Sequence, residues 1–327
     1  MSTEKRVTAT DIAREVGVSR ATVGFVLNST PGQTISEATQ EKVLAAARRL
    51  GYRPHLAAQA LASGKSRVVL LVLPDWPIEY SMRRHVDEAS TALDEAGYSL
   101  VTMTPHAGGR ARPLWETLQP DVVMGMVPFS EERYEEIRAS GVGAVIPRPA
   151  DRDAATGQAL SFSDGPRLQV DHLVQRGHRR LAYAASPDSR LADLVSSRYQ
   201  LAVTTAAHHG IEPVLTAAVD SANASDVIAG WHSAGVTGVV AYNDDIAAVV
   251  IGAALRHGIP VPEDLAVVGH DDSPIASVFV PSISSVHVDD EGLGRYFAQL
   301  ALAAATGAAP PPPQHHPQVT LRARESS

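Results

Sequence analysis

Two polar clusters directly follow apolar runs: Asn243-Asp244 comes after GVVAY, and His270-Asp271-Asp272 after LAVVG. Carboxylates and amides at such points bond the hydroxyls and amines of small molecules, because open α/β sheets bind ligands at the carboxyl ends of their parallel strands. Asp164, with Gly165 ahead of a helical stretch, has the same character. Helix capping competes with that reading. Asp and Asn satisfy free N–H groups in a helix's first turn, and this alone would account for Asp164 and Asp244. Asn243 and Asp271 together are read as ligand contacts.

The usual catalytic signatures are missing. Gly64-Lys65-Ser66 ends like a phosphate-binding loop, but position 59 is Gln where the first glycine belongs, and no strong strand precedes it. GVGAVI at Gly141 and GLGRYF at Gly292 each lack the third glycine of a dinucleotide loop, so they read as a turn and a helix entry. There is no Gly-x-Ser-x-Gly elbow and no His-Glu-x-x-His helix, and neither His208-His209 nor His315-His316 has a spacing that defines a metal site. The absence of cysteine removes disulfides, thiolate zinc and cysteine nucleophiles. No cofactor is implied, and an enzyme is not the favoured reading.

The elements that must position these groups fall into two classes. In residues 1–65 there are nine Lys/Arg against five acids, whereas the rest of the 327-residue chain carries 19 against 31. A basic head on an acidic body suits a polyanion partner, with repulsion keeping the body off it. The head reads as three helices. Thr8 and Asp11 have capping-box spacing before Ile12, Ala13 and Val16, and Gly17 breaks the helix. Ser19 caps a second helix, Arg20 to Leu27, with Val23, Val26 and Leu27 inward. Ser36 opens a third, with Val43, Leu44, Ala47 and Leu50 inward and Gly51 as its stop. Helix, short glycine-containing turn, helix is the helix-turn-helix pattern.

HLAAQALASGKS follows, helical by propensity but too short to be stable alone. From Val68 onward, near-continuous apolar runs alternate with helical stretches, which predicts parallel sheets covered on both faces and, at this length, two lobes. Pro310 to Pro313 reads as a stiff spacer before a final strand, VTLRAR. The polar N-terminus and the lack of any long apolar run predict a soluble, cytoplasmic protein with no membrane partner.

VTATDIAREVGVSRATVGFVLN and TISEATQEKVLAAARRLGYRPHLAAQALASGKS resemble the headpiece and hinge of the lactose-repressor/galactose-repressor family of bacterial transcription regulators. Downstream, DGPRLQVDHLVQRGHRRLAYA, VVAYNDDIAAVVIGAALRHGIPVPEDLAVVGHDDS, PSISSVHVDDEGLG and VTLRARESS resemble its effector domain in the same order, and the likeness is weakest between Asp75 and Pro149. The resemblance implies an α/β fold class: a small all-α helix-turn-helix headpiece plus a two-lobed, periplasmic-binding-protein-like (type I) effector domain with parallel sheets. Its boundaries would be 1–53 for the headpiece, 54–65 for the hinge and 66–327 for the effector domain. Lobe 1 would take about 66–160 and 290–318, and lobe 2 about 161–289 and 319–327. It also implies three crossovers between lobes, and a homodimer or higher oligomer that binds a pseudo-palindromic operator in double-stranded DNA. The alternative, a small-molecule binding protein or enzyme of the same fold, leaves the basic head without a purpose.

Carried over by resemblance, DNA contacts fall on Thr8, Ser19, Arg20, Ala21, Thr22, Phe25, Asn28, Tyr52, His55 and Leu61, the last as an apolar wedge in the minor groove. Effector contacts fall on Trp76, Asp164, Arg198, Tyr199, Asn243, Asp271 and Asp290. Many relatives carry an arginine three residues before a glycine on the long helix of the second lobe. In SSRYQLAV that register puts Tyr199 at the arginine position and Ala202 at the glycine, so Arg198 would point about 100° away. Asp290 stands where a phenylalanine floor is usual. The expectation is a small polyhydroxylated or sugar-like effector in an acidic cleft that would also accept an amine, with sugar phosphates repelled for want of the arginine.

The second helix of a helix-turn-helix presents its N-terminal residues to base edges. Arg20 can give guanine O6 and N7 two parallel hydrogen bonds, and Ala21 offers a thymine methyl only apolar contact. Arg20→Ala should therefore cost roughly 1 to 3 kcal/mol of operator affinity and relax preference at one base pair per half-site. Binding measured across single-base operator variants checks this, since a uniform loss would mark a phosphate contact instead.

Overall fold

Capping groups and glycines divide the headpiece into three short helices. In the computed structural model, which describes residues 7–27, 32–52, 65–106, 110–149, 165–211, 213–312 and 319–327, α1 spans Ala9–Val16, α2 Arg20–Leu27 and α3 Glu37–Arg49. The Asp11 carboxylate accepts from the backbone N–H of Thr8 at 2.9 Å and from its hydroxyl at 2.7 Å. Gly17 ends α1 at φ 76°, a conformation that costs an L side chain dearly. The Ser19 hydroxyl accepts from the Thr22 N–H at 3.0 Å, and Ser36 does the same for Thr39 at the head of α3. Ile12, Val23 and Val43 are fully buried where the helices meet. Leu44, expected inward, is 41% exposed, and Ala46 is buried instead. The inward stripe on α3 is Val43, Ala46, Ala47 and Leu50, a spacing of three, four and seven that leaves Leu44 a sixth of a turn or more outside it.

The chain divides into a unit ending at Arg67 and a second beginning at Val68. The second unit holds two sheets. The first comprises β1 (Val68–Val72), β2 (Ser99–Met103), β3 (Val122–Gly125) and β4 (Ala144–Ile146), all parallel in the order β2-β1-β3-β4. Helices α4 (Tyr80–Glu95), α5 (Leu114–Leu118) and α6 (Glu131–Ala139) connect them. The second sheet comprises β5 (Leu181–Ala185), β6 (Leu215–Ala218), β7 (Gly238–Ala241), β8 (Ala266–His270), β9 (Ser284–Val288) and β10 (Val319–Arg322). Its order is β10-β9-β8-β7-β5-β6, parallel apart from β10 against β9. Its helices are α7 (Gly165–Gln175), α8 (Ala192–His208), α9 (Ala224–Ser233), α10 (Asp244–Arg256) and α11 (Pro274–Val278).

Both sheets are apolar on both faces, as their strand sequences require: β1, β3, β5, β7 and β8 are almost wholly buried. The chain passes between the lobes three times. After β4 it enters the second sheet, and after β9 it forms α12 (Asp290–Thr306), whose Leu293, Tyr296, Phe297 and Leu300 pack with Met82, Ala89 and Leu93 of α4 in the first lobe. It then returns to the second sheet as β10.

Gly294 sets how close α12 comes to α4. A Cβ there would lie 2.6 Å from Glu88 Cβ and 2.7 Å from the His85 carbonyl oxygen, so one helix would have to retreat. Gly294→Ala should destabilise the second unit by roughly 1 to 3 kcal/mol, read as a lower urea midpoint with an unchanged slope.

Candidate functional site

On α2, Val23 and Val26 face the headpiece core, so Arg20, Ala21 and Phe25 form one exposed face. Phe25 is 36% exposed, an apolar ring left toward solvent on a helix whose apolar neighbours are buried. Ser19 and Thr22 lie at its start with their hydroxyls 2.9 Å apart. Thr8 is exposed at the head of α1, while Tyr52 packs in part against the headpiece core. Asn28, His55 and Leu61 lie outside the described residues.

The second candidate is a narrow cleft with a cavity volume of about 40 Å³ between the lobes of the second unit. From the first lobe come Trp76, Pro77, Glu79, Ser81, Met82, His85 and Met126. From the second come Leu191, Leu194, Arg198, Tyr242 and Asp271. Trp76, in the loop after β1, packs against the cores of both lobes.

Strand ends position the second lobe's groups. The Gln169 side-chain amide on α7 reaches the carbonyls of Ala241, Val268 and Gly269 at 2.9 Å each, tying the ends of β7 and β8 together. Beyond β8 the chain turns sharply, with Asp271 at φ 89° and Asp272 at φ 46°. Each non-glycine residue held there costs about 1 to 3 kcal/mol, so the turn must be pinned. The Asp271 N–H donates to Val286 O at 2.8 Å, the Asp272 N–H to Ser285 Oγ at 3.0 Å, and Arg324 pairs with the Asp272 carboxylate at 2.5 Å. Asp244 supports the same corner, accepting from the Ser285 hydroxyl at 2.5 Å and the Ser273 N–H at 2.6 Å, and burial pushes its carboxyl up to about 7. It is a structural group. The cap of α10 is Asn243, whose Oδ1 accepts from the Ile246 N–H at 2.9 Å.

Arg198 is 5% exposed, donates to Tyr242 O at 2.8 Å and lies 4.8 Å from the centroid of the Tyr242 ring. The expected register on α8 is therefore corrected. Tyr199 belongs with Val195, Ala202, Val203 and Ala206 to the core stripe, and its hydroxyl donates to Val214 O at 3.0 Å, away from the cleft. Leu191, Leu194 and Arg198, at spacings of three and seven, form the cleft-facing stripe. The 100° step between neighbours holds, but it turns Tyr199 away and Arg198 in. The expectation that sugar phosphates are repelled for want of an arginine thus loses its premise.

Asp290 is also corrected. Its carboxylate does not line the cleft, because Oδ1 is taken up by the Ser81 hydroxyl and His85 Nε2, each at 2.7 Å, and those two residues face the cleft in its place. Asn243 sits at the edge, with Nδ2 donating to Glu79 Oε1 at 3.3 Å, and the Tyr242 hydroxyl donates to Glu79 Oε2 at the same distance. Asp164 lies outside the described residues.

Burial, with the Asp271 charge second, raises Glu79 to about 7. Burial also opposes ionisation of Asp271, yet His270, 2.6 Å away through Nδ1, and Arg198 hold its carboxyl below the ordinary range. His270 itself is held low by burial and then by Arg198. Glu79, Ser81, His85 and Tyr242 escaped the sequence reading. Glu79 left one signal: it occupies the N-cap of α4, where glutamate is a poor choice beside Ser, Thr, Asp or Asn.

The family model described as bacterial regulatory proteins, lacI family, matches residues 8–55, and that of a periplasmic binding protein-like domain matches residues 170–327. The HTH-type transcriptional regulator reg1 of Streptomyces lividans is 30% identical over 343 residues, covering 97% of this chain and 96% of its own. A lac repressor dimer bound to operator and the anti-inducer ONPF superposes with a TM-score of 0.80 at 25% identity, covering 98% of this chain and 99% of the other. A complex of the transcriptional regulator CelR with cellobiose gives a TM-score of 0.63 at 25% identity, covering 98% and 100%.

The raised Glu79 carboxyl has a consequence for stability. Between its ordinary value of 4.5 and about 7 the folded chain keeps a proton that the unfolded chain has lost, so stability falls as pH rises through that window and stays lower above it. Glu79→Gln should match the parent at pH 4 and exceed it by about 2 kcal/mol at pH 8, allowing for partial solvent screening. Denaturation curves at both pH values check this, and an equal difference at the two would refute it.

Proposed function

The chain belongs to the lacI family of bacterial regulatory proteins and is a DNA-binding transcriptional regulator, and on that premise we propose that it represses its target and is released by a small polyhydroxylated effector bound in the interlobe cleft. The observation that carries this reading is the cleft itself, where side chains of both lobes converge on one space. A ligand touching Trp76 and Glu79 on one side and Arg198 and Asp271 on the other prefers one spacing of the lobes, and only such differential binding shifts an equilibrium. Linkage then obliges effector and operator to change each other's affinity by the same factor. The operator and ONPF of the lac repressor dimer, and the cellobiose of CelR, support the two ligand classes.

Base reading falls to the exposed α2 face, with Arg20 as the hydrogen-bonding reader and Ala21 and Phe25 as apolar contacts, in a cytoplasmic protein acting where its DNA is. Val278 and Val280, 74% and 80% exposed around the end of α11, suit a face on which two copies meet, as a two-fold operator requires. Gel-shift titrations against a pseudo-palindromic operator, with a panel of mono- and disaccharides, test the scheme. At least one sugar should release the complex, and in Trp76→Ala the concentration needed should rise about tenfold, since the ring contributes both stacking and buried area. Release unaffected by every sugar would remove the effector assignment.

A further inference from the structure

We infer that the effector is an aminated sugar whose ammonium group sits against Glu79 and Asp271. This rests on reading the interlobe cleft as the effector site. The cleft brings the carboxylates of Glu79 and Asp271 to one space with a single guanidinium, Arg198, and that cation is already committed to the Tyr242 carbonyl and ring. Glu79 is the less satisfied of the two acids. Its partners are a phenol and an amide, both neutral and both at 3.3 Å, long for bonds to an ionised oxygen, which run nearer 2.5 to 2.9 Å. Among the described residues it makes no ion pair. The charges that act on it are Asp271 beyond β8 and Asp245 in α10, which oppose its ionisation, and Arg198 in α8, which favours it.

An ammonium beside Glu79 would supply the short charged hydrogen bonds that the protein does not, and would relieve the repulsion between the two carboxylates. A neutral hydroxyl could do only the first, and more weakly. The remaining walls suit the rest of such a molecule. Trp76 and Met82 offer apolar contact to a ring face, and Ser81 offers a hydroxyl at its rim.

Calorimetric titration of the full-length protein at pH 7 with three matched pairs tests this: glucosamine and glucose, galactosamine and galactose, mannosamine and mannose. In at least one pair the amine should bind about tenfold more tightly than its neutral partner, and Glu79→Gln should bring that ratio to within about twofold. Neutral sugars binding as tightly as the amines would overturn the cationic assignment while leaving the cleft as an effector site. An amine preference that survives Glu79→Gln would overturn the role given to Glu79. No binding by either member of any pair would overturn the inference together with the polyhydroxylated effector.

Discussion

A guanidinium taken out of water must be surrounded by groups that replace its hydration, and the second unit's cleft is organised around that requirement at Arg198. Desolvating such a charge costs several kcal/mol, so its neighbours are an arrangement and not a coincidence. The Tyr242 carbonyl takes one of its N–H groups, the Tyr242 ring centroid lies 4.8 Å from its central carbon, and Asp271 balances its charge. Both residues stand at strand ends that Gln169 clamps, so the position of one cation depends on the register of β7 against β8. The strained turn at Asp271 and the supports beneath it, Asp244, Ser285 and Arg324, serve the same end.

Across the cleft the first lobe contributes groups that reach the other side. Glu79 has its hydrogen bonds to Tyr242 and Asn243, both on the second lobe. Trp76 packs against both cores. Contacts of this kind are exchangeable: polar atoms that bond across the gap in one arrangement can bond a ligand in another, which lets a small molecule bias the spacing of two large bodies. The paired His85 and Asp290 join α4 to the start of α12, where the chain crosses back to the first lobe.

The headpiece follows different physics. Its core is a few side chains on three short helices, each bounded by a cap or a glycine stop. That economy leaves a helix free to display Arg20, Ala21 and Phe25 without sacrificing packing.

Much of this was legible in the chain before folding. Periodicity and capping residues located the three headpiece helices, and apolar runs located the strands, because those signals are local and recur with fixed spacing. The strand-end position of Asp271 was legible for the same reason, since the end of a buried strand is visible as the end of an apolar run, whereas Asn243, read as a ligand contact, caps α10 through Oδ1. Leu44 misled because two adjacent apolar residues on one helix leave its inward face ambiguous until the partner helices are placed. Tyr199 and Arg198 misled more seriously. A one-residue choice of register decides which of them faces the cleft, and that choice is made by the fit of Ala202 and Ala206 into the core of the second sheet. Glu79, Ser81 and His85 carried almost no signal, because they acquire a role only when a second lobe, more than a hundred residues further along the chain, arrives opposite them. Local chemistry and period determined the elements and the strand-end acids. Only tertiary packing decided which helix faces turn toward the cleft and which charges meet there, because both depend on neighbours distant in sequence.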